Sequence, residues 1–366
     1  MNAQSNIVEL INVSQDVTWI AWGVQYFFLI ALSYGAFLLT LPYFVFGKAQ
    51  FESVARLALL VAITCGIAAP IALISDLHQP ARFYNFYLHF TQGSWMSWGA
   101  FFLPTYVTLL LVYAWLIYRP GMHQQSKQQT GIISRLLGLL SFGGTPAPAA
   151  IKKIGLLTLV AATLVALYTG AEVAIVATRP LWHTPMMPLL FIVTGISSAT
   201  GLSLILNRLL ANNNSMVNQQ LSKILINSLG LTLLLQFIWY ISGVVGFSPS
   251  GMVLQRLATE YNPASFTLLW LVICTITPLM LALLKPEPTV WVTGLLTIAG
   301  GWLFRWSMFI DGQRIPKTGA GFYDYPVPLG TEGLLGILGT VGLWIFLVIL
   351  ITSFLPWQGD KQNSAV

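Results

Sequence analysis

Charge is scarce in this chain. Of its 366 residues only 8% are Asp, Glu, Lys or Arg, while 56% are hydrophobic. A soluble domain carries about a quarter charged residues, so this composition, with a mean hydropathy of +0.75, marks a polytopic membrane protein. Thiols are nearly absent too. Cys65 and Cys274 stand isolated inside apolar runs and cannot assemble the four thiolates of an iron–sulfur cluster; they read as small packing residues. The four histidines, His78, His89, His123 and His183, fall in connectors or helix ends, which leaves no pair of axial imidazoles at depth for a membrane haem. No G-x-x-x-x-G-K-[ST] string occurs, against a P-loop ATPase. The expectation is a chain with no haem and no iron–sulfur cluster of its own.

What the sequence does have is long apolar runs. Windows of about 20 residues give nine expected spans, near 19–46, 54–75, 97–118, 154–177, 186–206, 224–247, 265–284, 289–310 and 332–355. The first follows an acidic tail (Glu9, Asp16) without a basic segment and reads as a true span, not a cleaved signal peptide. The predicted fold is all-α: an outer tail 1–18, a four-helix bundle 19–177, a second bundle 178–310 that reads as polar-poor scaffold, an outer loop 311–331, and a ninth helix with tail, 332–366. The net charge of +6 does not point to nucleic acid, because the positives are scattered over short loops. Eleven Lys/Arg belong to connectors 47–53, 119–153, 207–223 and 285–288, the C-terminal tail and adjoining helix ends, against six on the other side. By the positive-inside rule the N-terminus is expected outside and the C-terminus in the cytoplasm.

Connector 75–96 then lies outside, and it is rich in chemistry for a linker. Asp76, Pro80, Arg82 and Phe83 form D-x-x-x-P-x-R-F; Ser94, Met96, Ser97 and Gly99 form S-x-M-S-x-G. Pro80 interrupts helical continuity. Asp76 either pairs with Arg82 to pin the turn or, with His78, accepts and relays protons at the bilayer boundary. Glu172 lies inside the fourth span, four residues after Tyr168, so the two share a helix face. An intramembrane carboxylate faces a cavity or a partner: it serves a structural hydrogen bond or, with the phenol, an acid–base site. Gln25 and Tyr26 are candidates to line the same bundle, while Trp19 and Trp22 read as interfacial anchors. Arg305, near a helix end, reads as a snorkelling cation or as the partner of Asp311.

These motifs resemble those of the NrfD/PsrC family, the membrane subunits of polysulfide-reductase-type complexes. D-x-x-x-P-x-R-F…S-x-M-S-x-G resembles the family signature between its second and third helices. Y-T-G at 168–170, P-L-W at 180–182 and P-L-L-F at 188–191 are similar to its turn between helices four and five. The string G-Q-R-I-P-K-T-G-A-G-F at 312–322 resembles the tetrathionate-reductase branch. The resemblance implies quinol oxidation at the outer face of the bacterial inner membrane, with menaquinol or ubiquinol meeting Asp76, Tyr168 and Glu172, and with Gln25, Tyr26, His78 and Arg82 around them. It also implies an iron–sulfur partner subunit and a molybdopterin catalytic subunit on the outer face. Loop 311–331, with four glycines, three prolines, Tyr323 and Tyr325, reads as a bundle cap or as the docking surface for such a partner. Two other classes fit the composition, an ion-coupled secondary transporter and a passive membrane anchor. The gathering of ionisable residues at one face, with little at the midplane, tells against transport.

The topology is directly testable. A periplasm-active reporter fused after residue 88 is expected to be active and one fused near residue 127 silent; the reverse pattern would place every candidate residue on the wrong side of the membrane.

Overall fold

In lipid every backbone N–H and C=O has to find its partner within the protein, so apolar runs of this length fold as helices. The computed structural model describes residues 17–128, 130–143, 146–284, 289–315, 322 and 324–359, and no strand occurs among them. Nine long helices follow in order: α1 Ala21–Phe44, α2 Glu52–Asp76, α3 Trp95–Gln128, α4 Pro148–Ala174, α5 Met186–Leu210, α6 Ser215–Val244, α7 Ala264–Leu284, α8 Val290–Trp306 and α9 Leu334–Phe354. Eight of them are long and apolar enough to cross a membrane. The exception is α8, where the sequence predicts a further span. Its α-helical part has 17 residues, and the helix winds on through a π-turn at Ser307–Asp311 and a last turn at Gly312–Arg314. The expected 119–153 loop is also largely helical. α3 runs through Pro120 to Gln128, and a short helix follows at Ile132–Leu140. The acidic tail with Glu9 and Asp16, connector 285–288, and Pro316–Gly321 and Tyr323 of the glycine-rich loop lie outside the described residues.

Helix α1 sits at the centre. It is apolar all round and buried on nearly every side, the pattern of a core helix. It packs most extensively on α2, then on α5, and also meets α4, α8 and α9. Small residues allow the close crossings, as is usual between membrane helices. A Cβ on Gly35 of α1 would come within 2.6 Å of the Gly195 carbonyl of α5, and one on Gly201 of α5 within 2.7 Å of the Gly294 carbonyl of α8. A polar seam fixes α1 against its neighbours. Ser33 donates to the Ala62 carbonyl of α2 at 2.8 Å and accepts from the Tyr106 hydroxyl of α3 at 2.8 Å. Seven residues along both helices, Thr40 accepts from Tyr113 at 3.2 Å.

Two expectations for the second half are corrected. Arg305 neither snorkels nor pairs with Asp311. It is 0% exposed and donates to the Phe27 carbonyl of α1 at 3.0 Å, to Thr194 Oγ1 at 3.2 Å and the Phe191 carbonyl of α5 at 3.1 Å, and to the Gly301 carbonyl of its own helix at 2.8 Å. Asp311 pairs instead with Arg314 at 2.9 Å. The five donors of a guanidinium suit it to carbonyls converging from three helices. The second half is also not polar-poor inside: α5 buries Thr194, Ser197, Ser198, Thr200, Ser203 and Asn207, most of them spent on their own helix carbonyls.

Arg305→Leu would leave three buried carbonyls without this donor. The expected loss is about 3 kcal/mol or more, read as reduced thermal stability of the purified protein in detergent. Arg305→Lys, a point charge without the planar fork, is expected to fall between the two.

Candidate functional site

Helix α2 ends on Asp76, where its own partial negative charge disfavours an acid. The fold relieves this by bringing the N-terminus of α1 to it. Asp76 Oδ1 accepts the Gly23 N–H at 2.9 Å. α1 has no side-chain cap from its own flanking residue, so Asp76 caps it from the neighbouring helix. Gln313 holds the chain just before α1: its Oε1 accepts the Thr18 and Trp19 N–H groups at 2.9 and 3.2 Å, and its Nε2 donates to the Trp19 carbonyl at 3.0 Å. The G-Q-R-I stretch at 312–315 therefore braces the start of α1, with Gly312 and Gln313 buried.

The second motif divides into three tasks. Ser94 Oγ accepts the Ser97 N–H at 3.4 Å and so caps the start of α3. Ser97 Oγ accepts the Thr91 N–H at 3.3 Å and ties the connector to the helix. At Gly99 a Cβ would overlap the ring of Tyr168, so only glycine lets that ring of α4 rest against the α3 backbone.

These elements enclose a cavity of about 520 Å³, in the range of small-molecule sites. Asp76, His78, Tyr168 and Glu172 line one end, with Thr18 and Trp19 beside them. The body is apolar, with Pro70, Leu73 and Ile74 of α2 across from Leu103, Pro104 and Val107 of α3. Glu172 Oε2 and the Tyr26 hydroxyl are buried and make no hydrogen bond within 3.5 Å; the Tyr168 hydroxyl faces both, close enough to interact with either. Buried polar atoms are nearly always satisfied. An unpartnered carboxylate oxygen beside a cavity is therefore a place for a ligand's polar group.

Four of the seven residues singled out in the sequence, Asp76, His78, Tyr168 and Glu172, thus meet in one cavity. Tyr26 stands behind Tyr168 and does not line it. Gln25 is buried elsewhere: it donates to the Ile337 carbonyl at 3.2 Å and to Thr340 at 2.6 Å, accepts from Trp302 at 2.8 Å, and so clamps α1 to α8 and α9. Arg82 lies exposed on the turn Pro80–Arg82, away from the lining, and no ion pair joins it to Asp76 among the described residues. Trp19, read as an anchor, is a cavity wall, packed against Phe27 and Phe309 at 5.5 and 5.6 Å. The apolar body escaped the sequence reading. Its available signal was a proline inside each of two consecutive spans, Pro70 and Pro104.

Fold and cavity define a polytopic helical membrane protein whose cavity is acidic at one end and apolar along its body. The chain belongs to the family described as polysulphide reductase, NrfD, whose model matches residues 9–317. Among curated proteins it is similar to a tetrathionate reductase subunit of Salmonella typhimurium, with 34% identity over 358 residues covering 94% of each chain. It also resembles a selenate reductase subunit of Mesobacillus selenatarsenatis, 24% identical over 95% of this chain and 88% of that one. A third relative is the Hdr-like menaquinol oxidoreductase integral membrane subunit of Archaeoglobus fulgidus, 26% identical over 93% and 82%.

Because Asp76 caps α1, Asp76→Ala is expected to lower stability by about 0.5–2 kcal/mol. Asp76→Asn keeps an acceptor oxygen and is expected to recover most of that loss. Thermal unfolding of both variants in detergent measures the difference.

Proposed function

We propose that this chain is the quinol-oxidising membrane subunit of a sulfur-compound reductase complex, with tetrathionate as the terminal acceptor. The observation that carries the reading is the unpartnered Glu172 Oε2 at the acidic end of a cavity whose body is apolar. A quinol matches that division, with two hydroxyls on a ring and a long hydrocarbon tail. The relatives support the pairing: one is named a tetrathionate reductase subunit and another a menaquinol oxidoreductase subunit.

In this reading Glu172 accepts a proton from one quinol hydroxyl and Tyr168 fixes the ring through its own hydroxyl. The Gly99 contact holds Tyr168 in place, and the helix-capping bond holds Asp76, with His78 beside it as the route by which protons leave. Oxidation of one quinol releases two protons and two electrons. The electrons pass to an iron–sulfur partner and on to a molybdopterin catalytic subunit, since this chain offers no thiolate set for a cluster. The partners and the quinol cavity stand at the outer face of the bacterial inner membrane, with the N-terminus periplasmic and the C-terminus cytoplasmic. Protons released there do not cross the membrane, so this step alone separates no charge. The first bundle holds the cavity and the second braces it.

Glu172→Gln keeps the volume and removes the base; quinol-driven reduction is expected to fall by about 10²–10⁴-fold. Tyr168→Phe is expected to weaken quinol binding by about 0.5–1.5 kcal/mol. Reduction driven by a dye that donates directly to the partner subunits is expected to be unchanged in both. Wild-type quinol oxidation in assembled Glu172→Gln complexes would refute the assignment, as a passive anchor requires.

A further inference from the structure

The cavity does not stop at its polar end, and its shape constrains the substrate further, given the quinol reading above. We infer that the slot between α2 and α3, flanked by Pro70 and Pro104, is the passage through which the polyprenyl tail of the quinol leaves toward lipid. Pro70 lies six residues before Asp76 and Pro104 five residues after Gly99, which places both about 8–9 Å along their helices from the polar end. A proline inside a helix removes one backbone donor and crowds the preceding turn, and here two such positions flank the same opening at the same depth.

Packing and exposure agree. α2 is pressed closely on α1 and only lightly on α3, so the α2–α3 seam is the loose one. Pro104 and Thr108 line the cavity and are exposed, and Ile74, which also lines it, is 41% exposed. The cavity therefore opens sideways through an apolar face. A headgroup alone would not need this arm; an amphiphile with a long tail does. A second hollow of about 500 Å³ lies between α3 and α4, walled by Trp95, Trp98, Leu164 and Leu167. It touches the site only through Tyr168, whose ring stands between it and the acids, so it is the competing route and not the favoured one.

The test compares two substrates on the assembled, dye-competent complex: a menaquinol with a full polyprenyl tail and a naphthoquinol without one. Val107→Trp narrows the α2–α3 slot. The ratio of turnover with the tailed quinol to turnover with the tail-less one is expected to fall by about tenfold or more, the effect of displacing a few buried methylene-sized contacts. Leu167→Trp, in the competing hollow, is expected to leave that ratio at its wild-type value. An unchanged ratio in Val107→Trp, or a fall confined to Leu167→Trp, overturns the route while leaving the quinol site standing. Failure of the wild-type complex to oxidise either quinol overturns both readings. Should Val107→Trp not assemble, a quinone with a photoreactive diazirine in its tail decides the matter on the wild-type complex. Cross-links are expected in residues 70–74 and 103–108; cross-links in residues 164–167 overturn the proposal.

Discussion

One buried guanidinium holds the centre of this molecule together. Arg305 joins α1, α5 and α8 through carbonyls and a hydroxyl, with no carboxylate among its direct partners. A cation in a membrane interior is costly unless its donors are met, so the three helices are tied to one another by the need to satisfy it. The position of α1 follows from this knot. So does everything attached to the start of α1: the Asp76 cap, the Trp19 wall and the Gln313 brace. A residue far along the chain from the cavity in this way sets where the cavity can be.

The site gets two uses from single groups. Asp76 supplies the missing cap of one helix and the acidic end of the cavity. Gly99, in the second turn of α3, continues that helix and leaves room for the Tyr168 ring. A carboxylate fixed by a backbone N–H is pre-aimed, and a ring held against a helix backbone does not need to be ordered when a ligand arrives, which lowers the entropic cost of binding.

The helices are legible in the sequence because apolar length is a local signal, and the nine runs correspond to nine long helices. α8 changes its winding near its end, passing through a π-turn at Ser307–Asp311 before a last turn at Gly312–Arg314. The convergence of Asp76, His78, Tyr168 and Glu172 is legible as well, since helix spacing and one connector bring them near the same end of the bundle. What stays hidden depends on partners remote in sequence. Nothing local in Gln25 announces that it will meet Thr340, nor in Arg305 that Phe27 and Phe191 will offer their carbonyls. Arg82 misleads for the opposite reason: it sits in a conspicuous motif, but its side chain is exposed and forms no ion pair with Asp76 among the described residues. Prolines within spans are visible and invite a reading as mere punctuation, yet at Pro70 and Pro104 they face a cavity.

The seam between α1 and α3 has a consequence for helix register. Its two hydroxyl layers, Ser33 with Tyr106 and Thr40 with Tyr113, stand seven residues apart, about 10 Å along the helix. The Ser33 and Thr40 hydrogens are committed to the Ala62 and Phe37 carbonyls, so the tyrosine hydroxyls are the donors across the seam. A slide of either helix by one residue would break both bonds at once, and the two rungs set how far α1 and α3 can move past each other.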